Sequence, residues 1–201
     1  MTVDVLAAIR ERRSIRRYSS QPVAAEVIER LLTAATWAPS AHNRQPWRFA
    51  MVMESASKER LARAMGDKLR ADRLADGDAP EVVEQDAARS YTRLTTAPVV
   101  IVACLTLADM DKYPDSRRAD AEHTMAVQSV AMAMQNLLLA AHAEGLGACW
   151  MCAPLFCADV VRDSLNLPAD WEAQAVVTLG YPASAGKPAS RRSTAEAMIW
   201  R

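Results

Sequence analysis

The chain reads as a sheet buried between helices and organised around one long apolar helix, an expectation that rests on three observations. Pro98–Leu105 (P-V-V-I-V-A-C-L) is an unbroken apolar run of strand length, the pattern of a strand covered on both faces. Thr124–Ala143 contains no Lys, Arg, Asp or Glu, and neither Gly nor Pro interrupts 117–144, so the segment reads as one helix, apolar around most of its circumference. Helical and strand segments alternate without a linker, which predicts one domain over 1–201. With 201 residues, 51% of them hydrophobic, the chain is long enough to bury a substantial core.

The elements follow in order. Thr2–Glu11 and Ala24–Thr36 read as helices, the second with Leu31 and Leu32 on its apolar face. Arg48–Met53 is a short strand, and Ser55 opens a charged helix to about Arg73. Gly77, Asp78 and Pro80 break the chain before a helix over Glu81–Thr92. After the strand ending at Leu105 and the long helix, Gly145-Leu146-Gly147 turns into a strand over Ala148–Met151. A short helix over Ala158–Leu165 and a core strand over Ala173–Gly180 complete the pattern.

Composition excludes several classes. The 24 basic and 24 acidic residues balance, which argues against a general nucleic-acid binder. Thr124–Ala143 has the length of a membrane span, but Gln128, Ser129, Gln135, Asn136 and His142 would be costly in lipid, so it reads as a soluble core helix. Such a helix needs cover on several sides and suits a subunit interface. The first residues lack the basic segment and apolar run of a signal peptide. Cys104, Cys149, Cys152 and Cys157 show no secreted spacing, so a reduced, cytoplasmic setting is expected.

Against this balance, Arg10–Arg17 (R-E-R-R-S-I-R-R) packs five arginines into eight positions. Arginine is a planar, permanently charged fork suited to phosphate, so the run reads as an anion site, with a solvated charged surface as its alternative. A second stretch, Ala38–Trp47 (A-P-S-A-H-N-R-Q-P-W), joins a helix to a strand and crowds amide, hydroxyl and imidazole groups between two prolines. Those groups can satisfy the polar edge of a heterocycle, whereas the prolines alone would serve to stop the helix and set up the strand.

Together the two stretches resemble the FMN-dependent nitroreductase family. The likeness continues through A-E-G-L-G-A-C-W-M and V-T-L-G-Y-P to the C-terminal R-R-S-T-A-E-A-M-I-W. The resemblance implies an α+β fold with a central mixed sheet, whose long helix packs against its twin in a homodimer holding FMN at the interface. By position, Arg12, Arg13, Ser14 and Arg16 match residues that hold the phosphate and the polar edge of the ring. Pro39, Ser40 and Asn43 match the loop that the partner subunit lays against the flavin. Trp150, Cys152 and Ala153 match the segment beside the ring, and Arg191 matches a C-terminal phosphate contact. Ala189 stands where many members carry lysine, which shifts the expected phosphate contacts toward the N-terminal cluster or Arg192.

Within the family, D-K-Y-P-D-S-R-R-A-D-A-E-H-T-M and F-C-A-D-V-V-R-D-S-L-N-L-P-A-D-W-E are similar to one relative, the flavin-binding C-terminal domain of the ligase that matures the 5-deazaflavin coenzyme. That likeness implies reduction of a dehydro precursor of the coenzyme, and this chain begins at the flavin domain, without the ligase half. Its A-P-S-A-H-N-R-Q-P-W loop is nearer the general nitroreductase pattern, which implies an NAD(P)H-dependent nitro or quinone reductase, with NADH or NADPH as donor and a small molecule as acceptor. A flavin- or deazaflavin-binding protein without turnover is the remaining alternative. His42 is placed to face the substrate, and Arg117 and Arg118 can meet an anionic tail or simply start a helix. The flavin would carry the reactivity, so no side-chain nucleophile is expected. No metal site is expected either: Cys149 and Cys152 have C-x-x-C spacing, but on a strand they would face opposite sides, and no second ligand pair follows.

Overall fold

The computed structural model describes residues 4–201, so Thr2 and Val3 of the expected first helix lie outside the described residues. That helix, α1, spans Val5–Glu11, with the Asp4 side chain accepting the Leu6 N–H at its start. It is followed by α2 (Ala25–Thr36), β1 (Trp47–Val52), α3 (Ser55–Ala75), α4 (Pro80–Thr96), β2 (Val99–Leu105), α5 (Ser116–Ala143), β3 (Gly147–Met151), α6 (Ala158–Leu165) and β4 (Glu172–Gly180). Pro80 opens α4 in the first turn, where its missing N–H has no helical partner to lose.

The four strands lie in the order β1-β2-β4-β3, and every neighbouring pair is antiparallel. This corrects the expectation of a mixed sheet. The one parallel pairing among the described residues is an isolated bridge between Ser14 and Ala148, outside the strands themselves.

The alternation along β2 splits the core into two layers. Val99, Ile101, Ala103 and Leu105 join one cluster with Leu31 of α2 and Val130, Met134 and Leu137 of α5. Val100, Val102 and Cys104 join the other, with Leu61 and Met65 of α3, Leu94 of α4 and Val161 of α6. Both faces of β2 are thus covered, which is why its sequence lacks the polar alternation of a half-exposed strand.

α5 is long and apolar enough to cross a membrane, yet here it is a core helix. Ala126, Val130, Ala133, Met134, Leu137 and Ala141 are buried along its length. It ends where Gly145 adopts φ +76° and Leu146 N–H closes back onto the Ala141 carbonyl, a turn that glycine enters without a Cβ clash. Cover is one-sided, however. Thr124, Gln128, Ala131, Met132 and Gln135 remain exposed and form an uncharged stripe.

Candidate functional site

Arg12 caps the end of α1, and the chain then runs extended beside β3. Ile15 N–H donates to the Ala148 carbonyl at 3.0 Å, and the buried Ile15 side chain lies over Gly147. The Tyr18 hydroxyl contacts the Ile15 carbonyl at 2.6 Å and Thr178 Oγ1 at 2.8 Å; burial pushes its pKa up. These contacts hold the arginine run in place. Two carbonyls, those of Arg10 and Arg12, take Nη1 of Arg13 at 2.5 and 2.9 Å.

The run lines a cleft of about 1040 Å³. Arg12, Arg13, Ser14, Arg16 and Arg191, all read from the sequence, meet there, together with Arg17. Three cations come as additions: Arg89 and Arg93 from α4, and Lys187 from the C-terminal segment. No carboxylate lines the cleft, and among the described residues Arg89 alone of these cations has an ion-pair partner, Asp86. Arg93 is held below its ordinary pKa, first by burial and then by the like charges of Arg16 and Arg89. Burial also pushes the Cys149 thiol up, while Arg16 and Arg93 pull against it, so these groups are close neighbours. A site that gathers unneutralised cations in this way stores repulsion that a bound anion relieves, and it fits a phosphate monoester.

The α4 contribution had a visible signal: Arg89 and Arg93 are four apart and share a helix face. What the sequence could not show is that this face meets the N-terminal run. Lys187 lies two positions before Ala189, and the cleft takes Lys187 and Arg191 while Arg192 is outside its lining.

The other expected site residues lie apart. Trp150 is on β3, its indole N–H 2.7 Å from the Cys152 thiol, and Ala153 starts a short turn to Phe156. Cys149 is buried on β3, whereas Cys152 is exposed one residue past the end of that strand, and all four cysteines are free. The Pro39–Asn43 loop instead sits against the middle of α5, where Ala41 N–H donates to Ser129 Oγ at 3.3 Å. Ser40 Oγ accepts Gln45 N–H at 3.1 Å, and His42, Asn43 and Gln45 all have positive φ. Non-glycine residues in that region cost on the order of 1 kcal/mol each, so the loop is held against strain.

The arginine run lies near the other end of α5, beside Leu138 and His142. Thirteen residues separate Ser129 from His142, about 20 Å of helix. One copy therefore does not bring loop and cleft together. Arg118 is engaged at the start of α5, its Nε 2.5 Å from Asp115 and its guanidinium over the Tyr113 ring, while Arg117 is exposed. The helix-start reading accounts for Arg118.

One grouping had no sequence motif. His42, Asp111 and Glu122 bring their ligand atoms within 4.8 Å of one another, an arrangement able to hold a metal ion.

The profile of the nitroreductase family matches residues 9–181. A protein of Methanothermobacter thermautotrophicus named NADH dehydrogenase/NAD(P)H nitroreductase is 33% identical over 183 residues, 90% of this chain and 78% of its own. The NADH dehydrogenase of Thermus thermophilus is 31% identical over 224 aligned positions, covering 99% of this chain and 97% of that one. The crystal structure of a nitroreductase from Desulfovibrio desulfuricans, in complex with FMN, matches with a TM-score of 0.75 at 30% identity over 100% of this chain and 98% of that one. The chain belongs to the nitroreductase family. It is an FMN-dependent oxidoreductase.

Proposed function

We propose that two copies of the 1–201 chain form a cytoplasmic homodimer that takes two electrons from NADH or NADPH and passes them to a conjugated small molecule. The observation that carries this reading is the carboxylate-free cleft of Arg12, Arg13, Arg16, Arg93, Lys187 and Arg191. When bound, FMN supplies hydride transfer at its N5 position.

The cations divide by position. Arg12, Arg13, Lys187 and Arg191 hold the phosphate by charge-assisted hydrogen bonds, with Ser14 as a neutral donor. Arg16 and Arg93, beside Cys149 and next to β3, face the polar edge of the ring and offset the negative charge that gathers there on reduction. Trp150, Cys152 and Ala153 flank the ring from the end of β3.

The second copy supplies what one chain keeps distant. If two α5 helices pack antiparallel and cross at Met132 and Gln135, the C-terminal end of the uncharged stripe, Ser129 of each faces Leu138 of the other and the Pro39–Asn43 loop approaches the partner's arginine cleft. His42 then faces the acceptor. Large apolar side chains open to solvent in one copy support the pairing: Trp37, Phe156, Ile199 and Trp200 are at least 80% exposed. The last two sit on an arm whose residues are exposed from 187 to 201. Burying such side chains contributes about 1.5–3 kcal/mol each.

The broad nitro or quinone reductase and the reductase of a dehydro deazaflavin precursor share this machinery and differ in acceptor. The narrower reading is supported by the likeness of Asp111–Met125 and Phe156–Glu172 to the coenzyme-maturing relative. An anaerobic absorbance assay on the flavin-loaded protein tests both. NADH or NADPH is expected to bleach the flavin band, and an acceptor to restore it. Restoration by the deazaflavin precursor favours the narrow reading, and restoration by quinones or nitroaromatics alone favours the broad one. Flavin that stays oxidised with either nicotinamide would reduce the protein to a flavin carrier.

A further inference from the structure

We infer that His42, Asp111 and Glu122 form a binding site for a divalent transition metal of the zinc class. It does not depend on flavin binding, and it gives the His42 imidazole to the ion in place of the acceptor contact proposed above. Its starting point is Glu122. This residue is on α5 with 4% of its surface exposed, and its Oε2 is the one buried side-chain nitrogen or oxygen among the described residues without a hydrogen-bond partner. Buried polar atoms are otherwise satisfied, and a carboxylate oxygen withdrawn from water without a donor calls for a cation.

The neighbours of Glu122 are suited to supply the rest of a metal shell. The ligand atoms of His42, Asp111 and Glu122 lie within 4.8 Å of one another. Around an ion bonded at about 2.0–2.2 Å, ligand atoms sit roughly 3–4 Å apart, so rotations of about an ångström close the shell. One imidazole with two carboxylates is a mixed nitrogen and oxygen donor set, which suits zinc and its neighbours better than calcium or magnesium. Three protein ligands leave at least one coordination position open to water or a small anion.

The surroundings fix the ligands from three elements. Arg44 Nη2 holds Asp111 Oδ1 at 2.5 Å, leaving the second carboxylate oxygen free to coordinate and setting its direction. His42 is held at φ +49° in a loop tied to α5 through the Ala41 N–H bond to Ser129 Oγ. Glu122 and Ser129 are seven residues apart, two turns along one face of α5, so the helix positions both the loop anchor and the buried ligand.

The test uses untagged, chelator-treated, flavin-loaded protein, with Co²⁺ as the probe and the wild type compared with His42→Ala, Glu122→Gln and Cys152→Ser. Wild type and the Cys152→Ser variant should each bind one Co²⁺ per chain and show ligand-field absorption to the red of the flavin bands. His42→Ala and Glu122→Gln should lose it. Zn²⁺ at a hundredfold excess over Kd should raise the thermal midpoint of wild type by roughly 5–10 °C and leave those two variants unmoved. Glu122→Gln preserves shape, and His42 is exposed, so both variants should fold. Two outcomes overturn the inference: the spectrum of hydrated Co²⁺ alone, or equal binding by wild type and both ligand variants.

Discussion

Arg93 is far from Arg16 in the chain, yet both line one cleft beside Cys149, and the charge of Arg16 adds to burial in holding Arg93 below its ordinary pKa. An arginine partly buried against like charges is a poor device for stability and a good one for holding an anion. Arg93→Ala should therefore weaken FMN binding about tenfold to a hundredfold, the loss of one charge-assisted contact of roughly 1.5–3 kcal/mol. Arg192→Ala, outside the cleft, should leave affinity unchanged; quenching of flavin fluorescence during titration measures both. Equal affinity in wild type and Arg93→Ala would remove α4 from the site. At this scale the arginine run is visible in the sequence as an anion site over Arg10–Arg17, while the choice of Arg12, Arg13, Ser14, Arg16 and Arg191 within the proposed site rests on resemblance. Arg89, Arg93 and Lys187 join them only through folding, and nothing local marks Glu122 as a buried acid.

The elements were the most legible part of the chain. Unbroken apolar runs, a proline at the start of α4 and a glycine after α5 mark their boundaries in residue chemistry that acts over a few positions. Strand order and direction did not emerge, because pairing between β2 and β4 depends on contacts some seventy residues apart in sequence. The seam between the arginine run and β3 depends on one missing side chain. A Cβ on Gly147 would lie 2.7 Å from Cβ of Ile15, so Gly147→Ala must push the two segments apart. The expected cost is about 1–3 kcal/mol, or a drop in Tm of about 2–12 °C, together with weaker FMN binding because Ser14 and Arg16 move with Ile15. A calorimetric scan and a flavin titration of this variant check the two effects. Loss of stability with full flavin affinity would mean that the seam does not position the cleft.

The whole molecule leaves its central helix half covered. The sequence shows that α5 carries no charge from Thr124 to Ala143, and the fold shows which side of it stays open: the stripe of Thr124, Gln128, Ala131, Met132 and Gln135. That stripe, the exposed C-terminal arm and the distance between loop and cleft support the proposed site shared by two copies. Size-exclusion chromatography with light scattering and flavin absorbance, run on protein mixed with FMN and desalted, tests this claim most directly. The expected result is one peak at twice the 22.0 kDa chain mass, carrying about one FMN per chain. Flavin travelling with a single-chain peak, or a dimer that retains none, would contradict it.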